Sequence, residues 1–189
     1  MTDTTPLPLS ADPRACIAAA HALGIPRDYG RTRGLRRMRE PERLVRVGRD
    51  TQGRDQYLAA LAARAWARMR VAAAQDGVEL EIVSAFRSVE YQLGIIRRKL
   101  ERGQSIEAIL RVSAAPGYSE HHSGRALDLT TPGFAPLEQE FERSAAFAWL
   151  RKNAQLYKFT LSYPRDNPHG IAYEPWHWCF HEKRRADLS

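Results

Sequence analysis

Two short polar segments far apart in the chain, Ser119-Glu120-His121-His122-Ser123-Gly124-Arg125-Ala126-Leu127-Asp128 and Glu174-Pro175-Trp176-His177, restrict the fold most. A catalytic zinc takes three protein ligands, leaves a fourth position to water, and needs a nearby group to accept a proton. His121, Asp128 and His177 supply that ligand count, and Glu174, three residues before His177, is the candidate base. The order is not HExxH, in which one helix presents both histidines and the glutamate. The fold must instead bring two distant segments together. His122 is an equally good ligand by chemistry, and spacing alone leaves the choice between it and His121 open.

Local pattern says how each segment is displayed. Arg125-Ala126-Leu127-Asp128-Leu129 alternates, so on a strand Leu127 and Leu129 face the core while Asp128 projects from the other side. Glu174 and His177 are an odd number of residues apart and would point to opposite faces of a regular strand. Pro175 lacks a ladder donor and marks an edge or bulge. An irregular backbone at Glu174-Pro175-Trp176 is therefore expected, turning both groups toward one metal.

The rest of the chain reads as helices around a short-stranded sheet. Asp12 caps a helix with Pro13 at its first position, ended by Gly24. Residues 31–53 hold Gly34, Pro41, Gly48 and Gly53 without a sustained period and read as a surface excursion. Residues 55–75 carry Leu58, Leu61, Ala62, Ala65, Met69 and Ala72 at helical spacing, with a stop at Gly77. Residues 79–86 read as a strand that delivers Arg87, and Ser88 caps a helix through Gln92, Ile96 and Leu100. Residues 105–112 form a short helix, 114–124 a loop, and 141–156 the last helix, with Trp149 in the core. Residues 159–163 and 173–180 close the fold as strands. Helices before and after a mostly antiparallel sheet make a single α+β domain over residues 12–183, behind a loose arm over residues 1–11.

Composition narrows the functional classes. A chain of 189 residues suits one domain that buries about 70% of its unfolded surface, so its core needs no staples. Cys16 and Cys179 lack CxxC spacing and read as free thiols. The first thirty residues show no basic start followed by an apolar run, so no signal peptide is visible and a cytoplasmic location is expected as written. A periplasmic or extracellular site of action requires a removed leader or another export route. No apolar run is long enough to span a membrane. The net charge of +7 favours an anionic partner, and residues 31–49 concentrate it, with eight arginines against Glu40 and Glu42. No nucleic-acid module accompanies them, so wall polymer ranks above nucleic acid.

Four stretches resemble, in order, the motifs of the zinc D-alanyl-D-alanine carboxypeptidases related to VanY. Ser84-Ala85-Phe86-Arg87-Ser88 with Gln92 is similar to the family's SGYRS...Q, and Pro116-Gly117-Tyr118-Ser119-Glu120-His121 through Asp128 to its PGxSEHxxGxAxD. Trp149-Leu150, Asn153-Ala154, Tyr157, Phe159 and Leu161-Ser162-Tyr163-Pro164 resemble a third stretch, and Tyr173-Glu174-Pro175-Trp176-His177 the closing YEPWH. Together they cover residues 25–181. Two departures stand out: Lys158 where relatives usually have Gly, and Cys179 where many have Arg.

The resemblance implies the Hedgehog/DD-peptidase fold, with one zinc per chain in a cleft over the sheet. It makes His121, Asp128 and His177 the ligands, choosing His121 over His122, and Glu174 the catalytic base. Arg87 becomes the clamp for a terminal carboxylate or an oxyanion, and Gln92 and Ser119 become substrate contacts. The implied activity is removal of the C-terminal D-amino acid from peptidoglycan stem peptides or muropeptides, at a D,D or an L,D bond. The alternatives are a phage-lysin type endopeptidase cutting inside the stem, and a zinc-containing binding domain without turnover. Retention of Glu174 and Arg87 argues against the last.

Overall fold

A computed structural model describes residues 12–182; the arm expected over residues 1–11, and residue 183 at the expected domain end, lie outside that range. In chain order the elements are α1 (Pro13–Ala22), α2 (Tyr29–Thr32), β1 (Val45–Arg49), β2 (Asp55–Leu58), α3 (Ala60–Gln75), β3 (Glu81–Ser84), α4 (Val89–Glu101), α5 (Ile106–Val112), β4 (Ala126–Thr130), α6 (Ala145–Asn153), β5 (Phe159–Leu161) and β6 (His177–Phe180). Single turns of 3-10 helix occupy Glu120–Ser123, Gln139–Arg143 and Ala154–Tyr157. This is the expected α+β architecture. Four of its helices begin where short polar side chains take up free backbone donors: Asp12 accepts from Arg14 N, Ser88 from Tyr91 N, Ser105 from Ala108 N and Ser144 from Phe147 N.

Four strands form one antiparallel sheet in the order β3-β4-β6-β5. β4 is interior, and all five of its residues are buried, so both of its faces are covered. On one side Leu127 and Leu129 join Trp66, Met69, Leu150, Phe159 and Trp178 in the main core. Each such side chain, fully buried, contributes about 1.5–3 kcal/mol. A second core, built from Cys16, Ile17, Tyr29, Leu93, Ile96, Ile109 and Tyr118, binds α1, α4 and α5 together. Cys16 and Cys179 are buried free thiols, as expected. Among the described residues no helix is long and apolar enough to cross a membrane.

Three expectations need correction. Residues 31–53 are not a mere surface excursion: β1 pairs with β2 in an antiparallel hairpin, Leu44 is fully buried, and Val45 and Val47 pack on the main core. The intervening arginines and the register shift at Gly48 hide the alternation. Residues 55–58 are strand and not the start of a helix, since α3 begins only after Ala59, whose backbone is extended and has no side-chain cap to announce it. The helix expected over residues 141–156 is α only for Ala145–Asn153, with 3-10 turns on both sides; Ser144 caps it inside the apolar pattern.

Lys158, the residue where relatives usually have Gly, has a left-handed backbone with φ of 63°. Glycine takes that conformation without penalty, whereas a side chain strains it. The lysine backbone is held by a bond from His181 N to its carbonyl, 2.9 Å.

Candidate functional site

Backbone geometry orients His121 before any metal is considered. Its Nδ1 lies 2.5 Å from the Ala85 carbonyl, which can only accept, so Nδ1 carries the proton and Nε2 presents a bare lone pair. Ala85 is itself fixed on both sides: its own N–H donates to Gln56 Oε1 at 2.9 Å, and the Phe86 N–H of the same peptide as its carbonyl donates to the Tyr57 carbonyl at 3.0 Å. Gln56 in turn donates to Asp50, a buried carboxylate that also takes the backbone N–H groups of Gln52 and Arg54 and the Arg54 guanidinium. The hairpin misread from sequence is thus the support for a ligand candidate.

His122 faces elsewhere. Its Nδ1 donates to the Arg87 carbonyl at 2.7 Å and its Nε2 accepts from Gly117 N at 3.1 Å. Both ring nitrogens are spent on backbone, which leaves His122 no lone pair for a metal. The turn that separates the two rings ends at Gly124, in left-handed conformation with φ of 64°. A Cβ there would lie 2.9 Å from Ala59 N, so glycine is needed for the backbone and for the space.

Asp128 and His177 are register partners on β4 and β6, which places their side chains next to each other on one face. His177 Nδ1 lies 3.0 Å from Asp128 Oδ1, and His121 Nε2 lies 3.1 Å from Asp128 Oδ2. The ligand atoms of all three residues fall within 4.8 Å of one another, and all three side chains are buried. His121 Nε2 forms no hydrogen bond despite its short distance to Asp128. Neutral imidazole and carboxylate present lone pairs to each other with no proton between them, and an orphaned buried acceptor of this kind is costly unless a cation fills the gap. Two imidazole nitrogens and one carboxylate oxygen fit zinc by type and number.

Glu174 reaches the same spot through a turn. β6 begins only at His177, and His177 N donates to the Glu174 carbonyl at 3.1 Å, closing a tight loop over Pro175 and Trp176. The irregular backbone expected there is present, and it puts Glu174 Oε2 3.8 Å from His177 Nδ1. Arg87 follows β3 and places Nη2 3.8 Å from Asp128 Oδ2, while its buried Nε has no partner. Gln92 and Ser119 are both buried. Gln92 uses its amide nitrogen on the Ala114 carbonyl at 2.8 Å and keeps an unpartnered Oε1, and Ser119 opens the 3-10 turn that carries His121.

Burial and neighbouring charge set distinct protonation states. Burial, aided by the Arg87 charge, pulls His121 down to about 4, so it is neutral at physiological pH. Burial alone would raise Asp128, but the charged His177 ring bonded to it holds it well below the carboxylate range. Burial also disfavours charge on His177, yet the bonds to Asp128 and Glu120 push it up to about 10. Without a cation, then, a proton sits on Nδ1, and metal binding to such a nitrogen displaces it. Burial pushes Glu174 up to about 7, the range suited to a group that must both take and return a proton.

Glu120 escaped the sequence reading. Its Oε2 lies 2.9 Å from His177 Nε2, so it fixes the ring while Nδ1 faces Asp128. A carboxylate on the far nitrogen of a ligating histidine sets its tautomer and orientation. The only available signal was adjacency to His121, and neighbours on a 3-10 turn point about 120° apart.

Comparison with known proteins places this geometry in context. The family model described as VanY, D-alanyl-D-alanine carboxypeptidase, matches residues 55–183. The protein YodJ of Bacillus subtilis (strain 168) is 35% identical over 137 residues, covering 70% of this chain and 49% of its own. The chain thus spans about half the length of that relative. Among solved structures, the LdcB LD-carboxypeptidase, described with its peptidoglycan recognition, matches with a TM-score of 0.69 and 31% identity over 79% of this chain and 72% of its own. A vancomycin-resistance D,D-pentapeptidase VanY in complex with Zn(II) matches with a TM-score of 0.56 and 26% identity, over 70% and 76%.

Proposed function

This chain belongs to the VanY family of D-alanyl-D-alanine carboxypeptidases, and on that footing we propose that it is a zinc metallopeptidase removing the C-terminal D-amino acid from peptidoglycan stem peptides. The observation that carries the proposal is the convergence of His121, Asp128 and His177, with an unbonded His121 Nε2, beside a buried Glu174. The Zn(II) held by the solved VanY and the peptidoglycan recognised by LdcB support the metal and the substrate class.

In this reading His121 Nε2, an Asp128 oxygen and His177 Nδ1 hold one zinc. When bound, zinc polarises the scissile carbonyl and lowers the pKa of water to about 7. Glu174 takes the proton of the attacking water on its carboxylate and returns it to the leaving amine. Burial keeps bulk water away from that carboxylate, so the proton passes to the amine and not to solvent. Asp128 directs its charge toward the cation, which frees Arg87 for the substrate. The planar guanidinium there suits a terminal carboxylate or a developing oxyanion. Gln92 holds the loop leading to Ser119 and His121, and together with Ser119 lines the substrate side.

A free carboxyl terminus separates this reading from an endopeptidase. If Arg87 grips that group, C-terminal amidation leaves a desolvated guanidinium without its partner, a loss of about 2–5 kcal/mol. A peptide amide is expected to be cut at least roughly 30-fold less efficiently than the free acid. Arg87→Lys should likewise suffer on the free acid, because an ammonium cannot reproduce a bidentate fork. Steady-state kinetics on the matched pair of peptides gives the answer. Equal cleavage of both contradicts the carboxypeptidase reading and favours a cut inside the stem.

A further inference from the structure

The polar row that begins at His177 continues along β6. Side chains alternate on a strand, so Trp178 and Phe180 enter the main core while His177 and Cys179 take the opposite face. His181 extends that row past the strand end, where its N–H bond to the Lys158 carbonyl, 2.9 Å, holds the backbone. Glu120 arrives on the same face from its 3-10 turn, with Oε2 2.9 Å from His177 Nε2. One ligand atom from each of Glu120, Cys179 and His181 lies within 4.8 Å of the other two. Carboxylate oxygen, thiolate sulfur and imidazole nitrogen are the donor types that zinc accepts, and around a tetrahedral ion such atoms stand about 3.3–3.8 Å apart. Side-chain shifts of about 1 Å close the set around a cation.

The surroundings of the cluster are polar and under-satisfied. Thr160 on β5 is the register partner of Cys179, and Ser162 stands two residues on, so both hydroxyls share the face of the cluster. Thr160 Oγ1 and Ser162 Oγ are buried and form no hydrogen bond. Unmet polar atoms of this kind cost free energy until a donor or a cation meets their lone pairs. The buried Cys179 thiol is a weak donor, reaching the Phe180 carbonyl at 3.8 Å. Glu120 and His181 are only partly buried, which gives an ion a path in from solvent.

We propose that Glu120, Cys179 and His181 form a second cation site, for zinc and ions of like donor preference, separate from the catalytic centre. It shares no ligand with His121, Asp128 and His177, and it does not depend on which peptide bond is cut. Cys179, a departure from the family motifs, thereby acquires a role. Filling this site costs more than filling the first. The thiol must surrender its proton to the incoming ion, and Glu120 already serves His177 through one oxygen, which leaves the other for the cation. The isolated protein therefore keeps the catalytic ion alone, and the second joins at higher metal concentration.

The test is a cobalt(II) titration of the zinc-loaded protein under a non-thiol reductant. Cobalt ranks below zinc in affinity, so it leaves the catalytic zinc in place, and bound to thiolate it gains an intense charge-transfer band in the near ultraviolet. Wild type is expected to take up about one further equivalent of cobalt per chain together with that band. Cys179→Ser should lose the band and the added cobalt, and His181→Ala should lose most of the added cobalt, while both keep the first zinc and its turnover. His181→Ala, at a partly exposed position, reads the site even where substitution of the buried cysteine disturbs packing. No band at saturating cobalt in the wild type overturns the proposal, and so does added cobalt that is undiminished in either variant. Zinc content at the first centre, measured in the same samples, reports on the catalytic reading separately.

Discussion

Replacing Glu174 by Gln is expected to lower turnover of a D-alanyl-D-alanine peptide by about 10²–10⁴-fold while metal content and thermal stability stay near wild type. The side chains have the same shape, but a glutamine amide cannot take a proton from water or return it to an amine. Glu174 is buried and its Oε2 stands 3.8 Å from His177 Nδ1, close to the ligand atoms but not among the three that converge. Losing it should leave the metal in place. Its backbone N–H, which donates to the Tyr163 carbonyl, and its carbonyl, which accepts from His177 N, are unchanged by the substitution. Stopped assays paired with zinc analysis give both quantities from one preparation. Rates near wild type in Glu174→Gln would reduce the glutamate to a structural element and place the base elsewhere.

His121→Ala should strip the protein of zinc at neutral pH and abolish activity, whereas His122→Ala should retain one ion per chain. The two histidines are adjacent and equally good ligands in isolation, so their contrast is informative. His121 spends Nδ1 on the Ala85 carbonyl and keeps Nε2 unbonded, facing Asp128. His122 spends both nitrogens, on Arg87 O and Gly117 N. Deleting the second ring leaves two buried backbone groups unsatisfied at about 1–3 kcal/mol each, so His122→Ala should melt earlier yet remain metallated. A metallated His121→Ala beside a metal-free His122→Ala would reverse the assignment.

The sequence disclosed the chemistry better than the scaffold. Alternation at Ala126-Leu127-Asp128-Leu129 marked a strand, and the odd spacing of Glu174 and His177 about Pro175 required the turn that the structure contains. Ser88 and Asp12 announced two helix starts by side-chain chemistry alone. Where such a signal was missing, the reading failed. α3 starts after Ala59, which has no capping group, so Leu58 was drawn into a helical pattern although it ends a strand. In the hairpin of β1 and β2, arginines interrupt the apolar residues and Gly48 shifts the register, so periodicity vanished in the very element that supports Ala85 and His121. Glu120 was missed for a related reason. It acts through a partner distant in sequence, His177, and no local pattern encodes such a meeting.

The central claim joins a metal centre to the removal of one terminal residue, and mass spectrometry of defined muropeptides tests both halves at once. Tri-, tetra- and pentapeptide forms with free carboxyl ends would be incubated with the zinc-loaded protein and with the same protein after chelation. The account predicts loss of a single C-terminal D-alanine, from the pentapeptide for a D,D bond or from the tetrapeptide for an L,D bond, in the zinc-loaded sample alone. Fragments from a cut within the stem, or equal cleavage after chelation, would contradict it.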